Sequence, residues 1–186
     1  MERRENIPSR EEAILFLRKV GCSKEVVKHC ILVSEVASEI AQACKRRGKD
    51  VNVKLVEVGA ILHDVGRSIT HGVKHGVIGG DIVRKAGFPE AIARIVENHI
   101  GAGIPAEEAA ALGLEARDYV PKTLEEKIVT YADKLVEGSK RVGVSDAIEY
   151  FSRNLGPKHP ALKRFKRLHE EISNLAGSEF NETFNL

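Results

Sequence analysis

The sequence predicts an all-α protein, a multi-helix bundle, and three observations carry that expectation. Apolar residues recur at steps of three and four through most of the chain. No block of the chain alternates apolar and polar residues as a run of strands would. Gly or Pro stands where nearly every periodic stretch stops. A chain of 186 residues can bury a sizeable core in one domain, and neither an internal repeat nor a long linker divides it.

The elements follow in order. Ser9 and Glu12 have capping-box spacing before AILFLRKV, and Gly21 ends that helix. Ser23 caps a long second helix running to Gly48, whose apolar stripe is Val26, Val33, Val36 with Ala37, Ile40 and Cys44. His29 falls on the same stripe. Asn52 caps a third helix, VKLVEVGAILHDV, stopped by Gly66, with Val56, Ala60 and His63 on one face. A fourth helix is expected from His75 to Ala86, before Gly87. Pro89 suits the first position of a fifth, PEAIARIVENHI, broken after His99 by Gly101, Gly103 and Pro105. The short AEEAAALG helix and the loop LEARDYVPKT follow. Thr123 caps LEEKIVTYADKLVEG, with Glu126 in the capping-box position and Val129, Asp133 and Val136 on one face. Ser145 caps DAIEYFSRN, and Pro160 opens an amphipathic helix through Leu175. The core is expected over about 23–140, with helices over 145–175 completing or flanking it and a frayed tail over 176–186.

Composition narrows the function classes. With 29 Lys and Arg against 27 Asp and Glu, the net charge of +2 gives no broad basic surface, so nucleic acid is not an expected partner. Cys22, Cys30 and Cys44 form no CxxC pair, and the polar N-terminus MERRENIPSR has no apolar signal core. No apolar run reaches the length of a membrane span. A soluble, cytoplasmic protein is the expectation. Gln42 is the only glutamine and Trp is absent, while Lys, Arg and Glu abound, which leans toward a thermophile.

The chemistry-bearing feature is the doublet His63-Asp64, set at the end of an apolar segment where two polar side chains are costly without partners. His29 precedes it, and His75, His99 and Asp133 follow on other helix ends or faces. Taken singly, each has a bland reading: a packed core histidine, a buried ion-pair member, an exposed loop residue. Together, imidazoles and carboxylates from separate helices are what a divalent-metal site needs, because a cation removes the cost of burying several such groups at once. His71, four residues before His75, is expected to be a surface or supporting residue. Cys30 beside His29 points about 100° away on a helix, which favours core packing over ligation.

This ordered set resembles the HD-domain superfamily of metal-dependent phosphohydrolases. The matched residues are His29 in KHCILVSEVA, His63-Asp64 in AILHDVG and Asp133 in ADKL. The resemblance implies that these four hold a first divalent metal. KHGVIGGDIV and IVENHIG look like the extra histidine motifs of the dinuclear branches, which implies a second metal on His75 and His99 with Asp64 bridging. It spans about residues 25–140 and extends to small stand-alone HD proteins, including the HD-type diadenosine tetraphosphate hydrolases. The Gly-Tyr-Pro insertion of the cyclic-di-GMP phosphodiesterase branch is missing, which argues against that substrate. Arg67 stands where many members have lysine.

The implied reaction cleaves a phosphoester or phosphoanhydride of a nucleotide or similar small molecule by attack of metal-bound hydroxide, with Asp64 and Arg67 as catalytic residues. Two divalent cations, drawn from Fe, Mn, Co, Ni, Zn or Mg, would bring a site of about −2 to about +2 and attract phosphate. Arg67, Lys74 and Lys134 are the candidate phosphate contacts, Arg67 first among them. The Gly- and Pro-containing loop from Gly101 to Thr123 is the candidate lid. A di-iron oxygenase on the same fold and a non-catalytic nucleotide- or metal-binding module are the alternatives. Leu162, Phe165, Leu168 and Ile172 line one face of the last helix, as a cap on the core or as a homodimer face.

Overall fold

Helix starts are set by the side chains the sequence offers as caps. In the computed structural model, which describes residues 6–177, the expected α1 (Arg10–Lys19) begins with a complete capping box between Ser9 and Glu12. α2 (Lys24–Arg46) begins where Ser23 accepts from the Val26 amide, and α3 (Val53–Leu62) where Asn52 accepts from Leu55. The remaining helices are α4 (His75–Lys85), α5 (Glu90–Asn98), α6 (Ala106–Ala111), α7 (Leu124–Lys134), α8 (Val144–Leu155) and α9 (Pro160–Ala176). The fold is all-α apart from one small hairpin, β1 (Val136–Glu137) with β2 (Lys140–Arg141), antiparallel in the register Val136↔Arg141. Beyond Gly177 the expected frayed tail lies outside the described residues.

The differences from the sequence reading have local causes. α3 stops at Leu62, three residues early, and a 3₁₀ turn over Val65–Ser68 follows. A Cβ at Gly66 would lie 1.9 Å from the His75 carbonyl oxygen, so the start of α4 rests directly on the chain where α3 would continue. Pro89 is the residue before α5 rather than its first residue. α7 ends at Lys134, and Val136 belongs to the hairpin that turns at Gly138, φ +59°. The helical spacing that put Asp133 and Val136 on one face therefore does not hold. Thr123 caps α7, but Glu126 turns inward to Asn98 and the Lys122 amide instead of closing the box. α8 starts one residue before Ser145, after Gly143, whose amide donates to Asp146.

Packing brings the helix ends together. α2, α3, α7 and α9 share one apolar cluster, and α1, α3 and α5 share a second with part of α2. α4 meets α5 through glycine: a Cβ at Gly79 would stand 2.7 Å from Val96 Cγ1, and one at Gly80 would stand 2.6 Å from Glu97 Cγ. On α9 the stripe of Leu162, Phe165, Leu168 and Ile172 is buried in the first cluster, so it caps the core of its own chain. Full burial of Phe165 or Ile172 is worth about 1.5–3 kcal/mol each. Among the described residues no helix is long and apolar enough to cross a membrane.

Candidate metal centre

Five separate segments deliver the six candidate residues to one place. His29 comes from α2, His63-Asp64 from the break after α3, His75 from the first residue of α4, His99 from the end of α5 and Asp133 from the last turn of α7. The early stop of α3 matters here, because it puts Asp64 in a turn, with Arg67 Nε 2.5 Å from its Oδ2.

Each imidazole is oriented by a backbone carbonyl. Nδ1 of His29 meets Gly138 O at 2.9 Å, His63 meets Ala60 O at 2.6 Å, His75 meets Gly72 O at 2.8 Å and His99 meets Val96 O at 2.7 Å. A carbonyl only accepts, so each Nδ1 carries a proton and donates it. In a neutral ring Nε2 then presents a bare lone pair, which is the form that ligates metal.

Those four Nε2 atoms converge on two carboxylates. His29 Nε2 is 3.0 Å and His63 Nε2 3.4 Å from Asp133 Oδ1. His75 Nε2 is 3.0 Å and His99 Nε2 3.5 Å from Asp64 Oδ1. Lone pairs facing carboxylate oxygens repel unless a proton or a cation lies between them. His63 Nε2 and Asp64 Oδ1 are buried and satisfied by no hydrogen bond. The donor atoms of His29, His63 and Asp133 lie within 4.8 Å of one another, as do those of His63, Asp64 and His99. These groups fit a divalent cation on donor type, convergence and unsatisfied valence together.

Without a cation, charge on these groups is settled by burial and by their neighbours. Burial pushes His99 down to about 4, so it is neutral near pH 7. Burial also opposes charge on His63, but the Asp64 carboxylate outweighs it and holds His63 well above the ordinary imidazole range. Asp64 is held well below the carboxylate range despite its burial, by the charge of His63 first and then by the neighbouring imidazoles of His75 and His99. Asp133 is likewise held low against its burial by Lys134, with His29 and His63 adding to it. In the cation-free protein a proton on His63 therefore does part of the neutralising that a metal would do. Burial raises the Cys30 thiol, and Cys30 packs in the second core cluster as expected.

Residues 26–138, more than half of the chain, match the HD domain family. The chain is an HD domain. HD domains bind divalent metals, and the buried His/Asp groups described above are of the kind that could hold one. An uncharacterized protein of Methanocaldococcus jannaschii is 53% identical over 165 residues, 89% of this chain and 97% of that one. A tRNA (cytidine(56)-2'-O)-methyltransferase of Picrophilus torridus is 38% identical over 179 residues, 95% of this chain and 50% of the methyltransferase, so the chain spans about half of that relative. Among solved structures, the HD domain of the L. monocytogenes phosphodiesterase PgpH, in complex with cyclic-di-AMP, shares the fold. Its TM-score is 0.53 and its identity 16%, covering 95% of this chain and 97% of that one.

In this HD domain the cluster opens into a cavity of about 450 Å³. Its inner wall carries His29, Asp64, Asp133, Arg67 and Lys134. Lys134 Nζ pairs with Asp133 Oδ2 as Arg67 pairs with Asp64, so each carboxylate has one cation beside it. His71 is exposed and lines the cavity, its carbonyl 3.5 Å from an Arg67 nitrogen. Lys74 is exposed just before α4 and does not line it.

The candidate lid also lies elsewhere. No residue of 101–123 lines the cavity. Ile104 pairs with Tyr119, Arg117 reaches Glu97 at 3.2 Å and stacks 4.1 Å over Tyr119, and Arg164 grips Glu108 with two hydrogen bonds. That segment is anchored to the bundle. The outer walls instead come from the hairpin and α8, through Glu137, Gly138, Val142, Asp146 and Tyr150. Sequence reasoning missed them because α8 carries no polar motif, and the Gly138 turn sat inside a run read as helix.

Proposed function

We propose that this HD domain is a metal-dependent phosphohydrolase acting on a phosphoester or phosphoanhydride of a nucleotide or similar small molecule. The observation that carries the reading is the convergence of four Nε2 lone pairs and two carboxylates beside a cavity whose inner wall holds Arg67 and Lys134.

His29, His63, Asp64 and Asp133 would hold one divalent cation, and His75 and His99, beside Asp64, would hold a second. When bound, such cations supply Lewis-acid stabilisation of phosphoryl charge and an activated water near neutral pH. The carbonyls that accept from the four Nδ1 atoms keep the rings in the ligating tautomer. Arg67 and Lys134, neighbours of the two carboxylates, are placed to hold phosphate oxygens, Arg67 with a planar fork and Lys134 as a point charge. The cavity wall excludes bulk water from part of the site, which strengthens those contacts.

Two relatives bear on the substrate. The PgpH domain holds cyclic-di-AMP, so a fold of this kind accommodates a nucleotide, which supports a nucleotide here. The methyltransferase relative is twice the length of the shared region, and a cluster of imidazoles and carboxylates suits phosphoryl chemistry, so we assign no methyl transfer to these residues.

Phosphate release from a panel of mono-, di-, tri- and cyclic nucleotides and a dinucleoside polyphosphate, with the chain loaded in turn with Mn, Co, Ni and Fe, tests the reading. Turnover of at least one compound that chelation abolishes is the expected result. No turnover across the panel with metal demonstrably bound would overturn it.

A further inference from the structure

We propose that the cavity selects a nucleoside monophosphate, with the base against Tyr150 and the single phosphate at Arg67 and Lys134. This rests on the phosphohydrolase reading and names its substrate class. The residues that carry it, on α8 and the hairpin, lie largely outside the imidazole and carboxylate cluster.

The first observation is an aromatic ring without a packing role. Tyr150 is 56% exposed, one of the few large apolar side chains left in solvent, and it stands on the cavity wall. Val26, Val142, Ala147 and Phe151 line the same cavity, so Tyr150 stands beside an apolar stretch of its wall, with Asp146 of α8 at the same opening. An exposed aromatic ring beside an apolar wall is a stacking platform for a planar ring. The cavity is of a size to bury such a ring together with its sugar and one phosphate.

The second observation is charge. The cavity is lined by five carboxylates and two fixed cations. Asp64 and Asp133 belong to the His/Asp cluster, and Arg67 and Lys134 sit beside them. The other three carboxylates, Glu25, Glu137 and Asp146, are exposed members of the outer wall, where no lysine or arginine lines the cavity. One phosphate fits at the inner end, where Arg67 and Lys134 lie and where the divalent cations of the proposed function would add positive charge. A second or third phosphate, or the flanking phosphates of a polynucleotide, would lie against carboxylates of like charge. Carboxylates do suit sugar hydroxyls, which donate to them. With cations bound at the inner end and carboxylates on the outer wall, the cavity thus matches a molecule with one anionic end, a hydroxyl-rich middle and an aromatic end.

Turnover of such a molecule consumes one water. The water oxygen forms the new bond to phosphorus, and the bond from phosphorus to the sugar oxygen breaks with its electron pair on that oxygen. The sugar oxygen takes up a proton, and nucleoside and inorganic phosphate leave.

Calorimetric titration of the Mn-loaded full chain separates recognition from turnover. The probes are a nucleoside 5′-phosphonate, which resists hydrolysis, the base-free ribose 5-phosphonate, and the methylene-bridged triphosphate of the same nucleoside. The nucleoside phosphonate is expected to bind about tenfold tighter than either of the others. Tyr150→Ala should collapse its advantage over the base-free compound, and Tyr150→Phe should keep it. Glu25→Gln combined with Glu137→Gln should narrow the gap to the triphosphate. A triphosphate bound as tightly as the phosphonate, or a base preference intact in Tyr150→Ala, would overturn the proposal even if the chain hydrolyses other phosphates. The expected binding pattern without phosphate release from any compound of the nucleotide panel would support the recognition argued here and sink the hydrolase reading instead.

Discussion

Nε2 of His75 lies 3.2 Å from Nε2 of His99, while both rings donate their Nδ1 protons to backbone carbonyls. Two lone pairs aimed at each other across that distance are unfavourable, and both also face Asp64 Oδ1. A proton relieves such a contact in part; a divalent cation relieves it for all three groups together. Several expectations follow from this competition between protons and metal.

Metal binding should release protons. In the cation-free protein His63 is held well above its ordinary pKa by Asp64, against the effect of its burial, so a ligating His63 must first lose its proton. Affinity for Mn or Co should therefore weaken steadily from pH 8 to pH 6. Titration calorimetry in buffers of different ionisation enthalpy reads the released protons directly. A pH-independent affinity would contradict this.

Stability of the metal-free chain should fall on both sides of about pH 6.5. His99 is pushed down to about 4 by burial, below its unfolded value of 6.5. Between those values the unfolded chain binds the extra proton, so acidification from 6.5 to 4 costs stability. His63 has the opposite sign: its folded pKa is raised, so its stabilisation is present below 6.5 and is lost as pH rises through the folded value. Urea unfolding of chelated protein at a series of pH values checks this, and His99→Gln should flatten the acid limb.

The six candidate ligands and most helix starts were legible in the sequence, for a physical reason. Caps such as Ser9, Ser23, Asn52 and Thr123 act within three residues, so their signal is local. His29, His63, Asp64, His75, His99 and Asp133 stood out because polar groups on apolar faces demand partners. What periodicity could not show was where one element yields to the approach of another segment. α3 stops short because α4 rests on Gly66, and α7 gives way to a hairpin whose Gly138 carbonyl orients His29. The inward turn of Glu126, and the pairing of Glu97 with Arg84 and Arg117, depend equally on partners distant in sequence.

Gly66→Ala tests that close approach. Its Cβ would meet the His75 carbonyl oxygen at 1.9 Å and the Gly79 amide nitrogen at 2.8 Å, both backbone atoms that cannot rotate away. A loss of about 3 kcal/mol is expected in urea unfolding, at the upper end for overpacking, with weakened metal binding because Asp64 and His75 flank the contact. A variant as stable as the parent would show that α4 does not bear on this turn.

Arg67→Gln should separate phosphate contact from metal contact. Arg67 Nε stands 2.5 Å from Asp64 Oδ2 and competes with a cation for that carboxylate. Its removal should leave metal affinity equal or higher while lowering kcat/KM for a turned-over nucleotide about 10–100-fold, about 1.4–2.7 kcal/mol. Arg67→Lys should recover only part, since a point charge does not replace the fork. Parallel loss of metal and activity would mean that Arg67 serves only to position Asp64.

The proposal that Asp64 serves two cations is the central claim, and the metal content of Asp64→Ala tests it most directly. Elemental analysis of parent and variant, each loaded with Mn and freed of excess, should give close to two ions per parent chain and at most one in the variant. Phosphate release from the parent's best nucleotide should be abolished in the variant. A variant with the parent's metal content and full turnover would contradict the assignment of His63-Asp64 as the heart of the site.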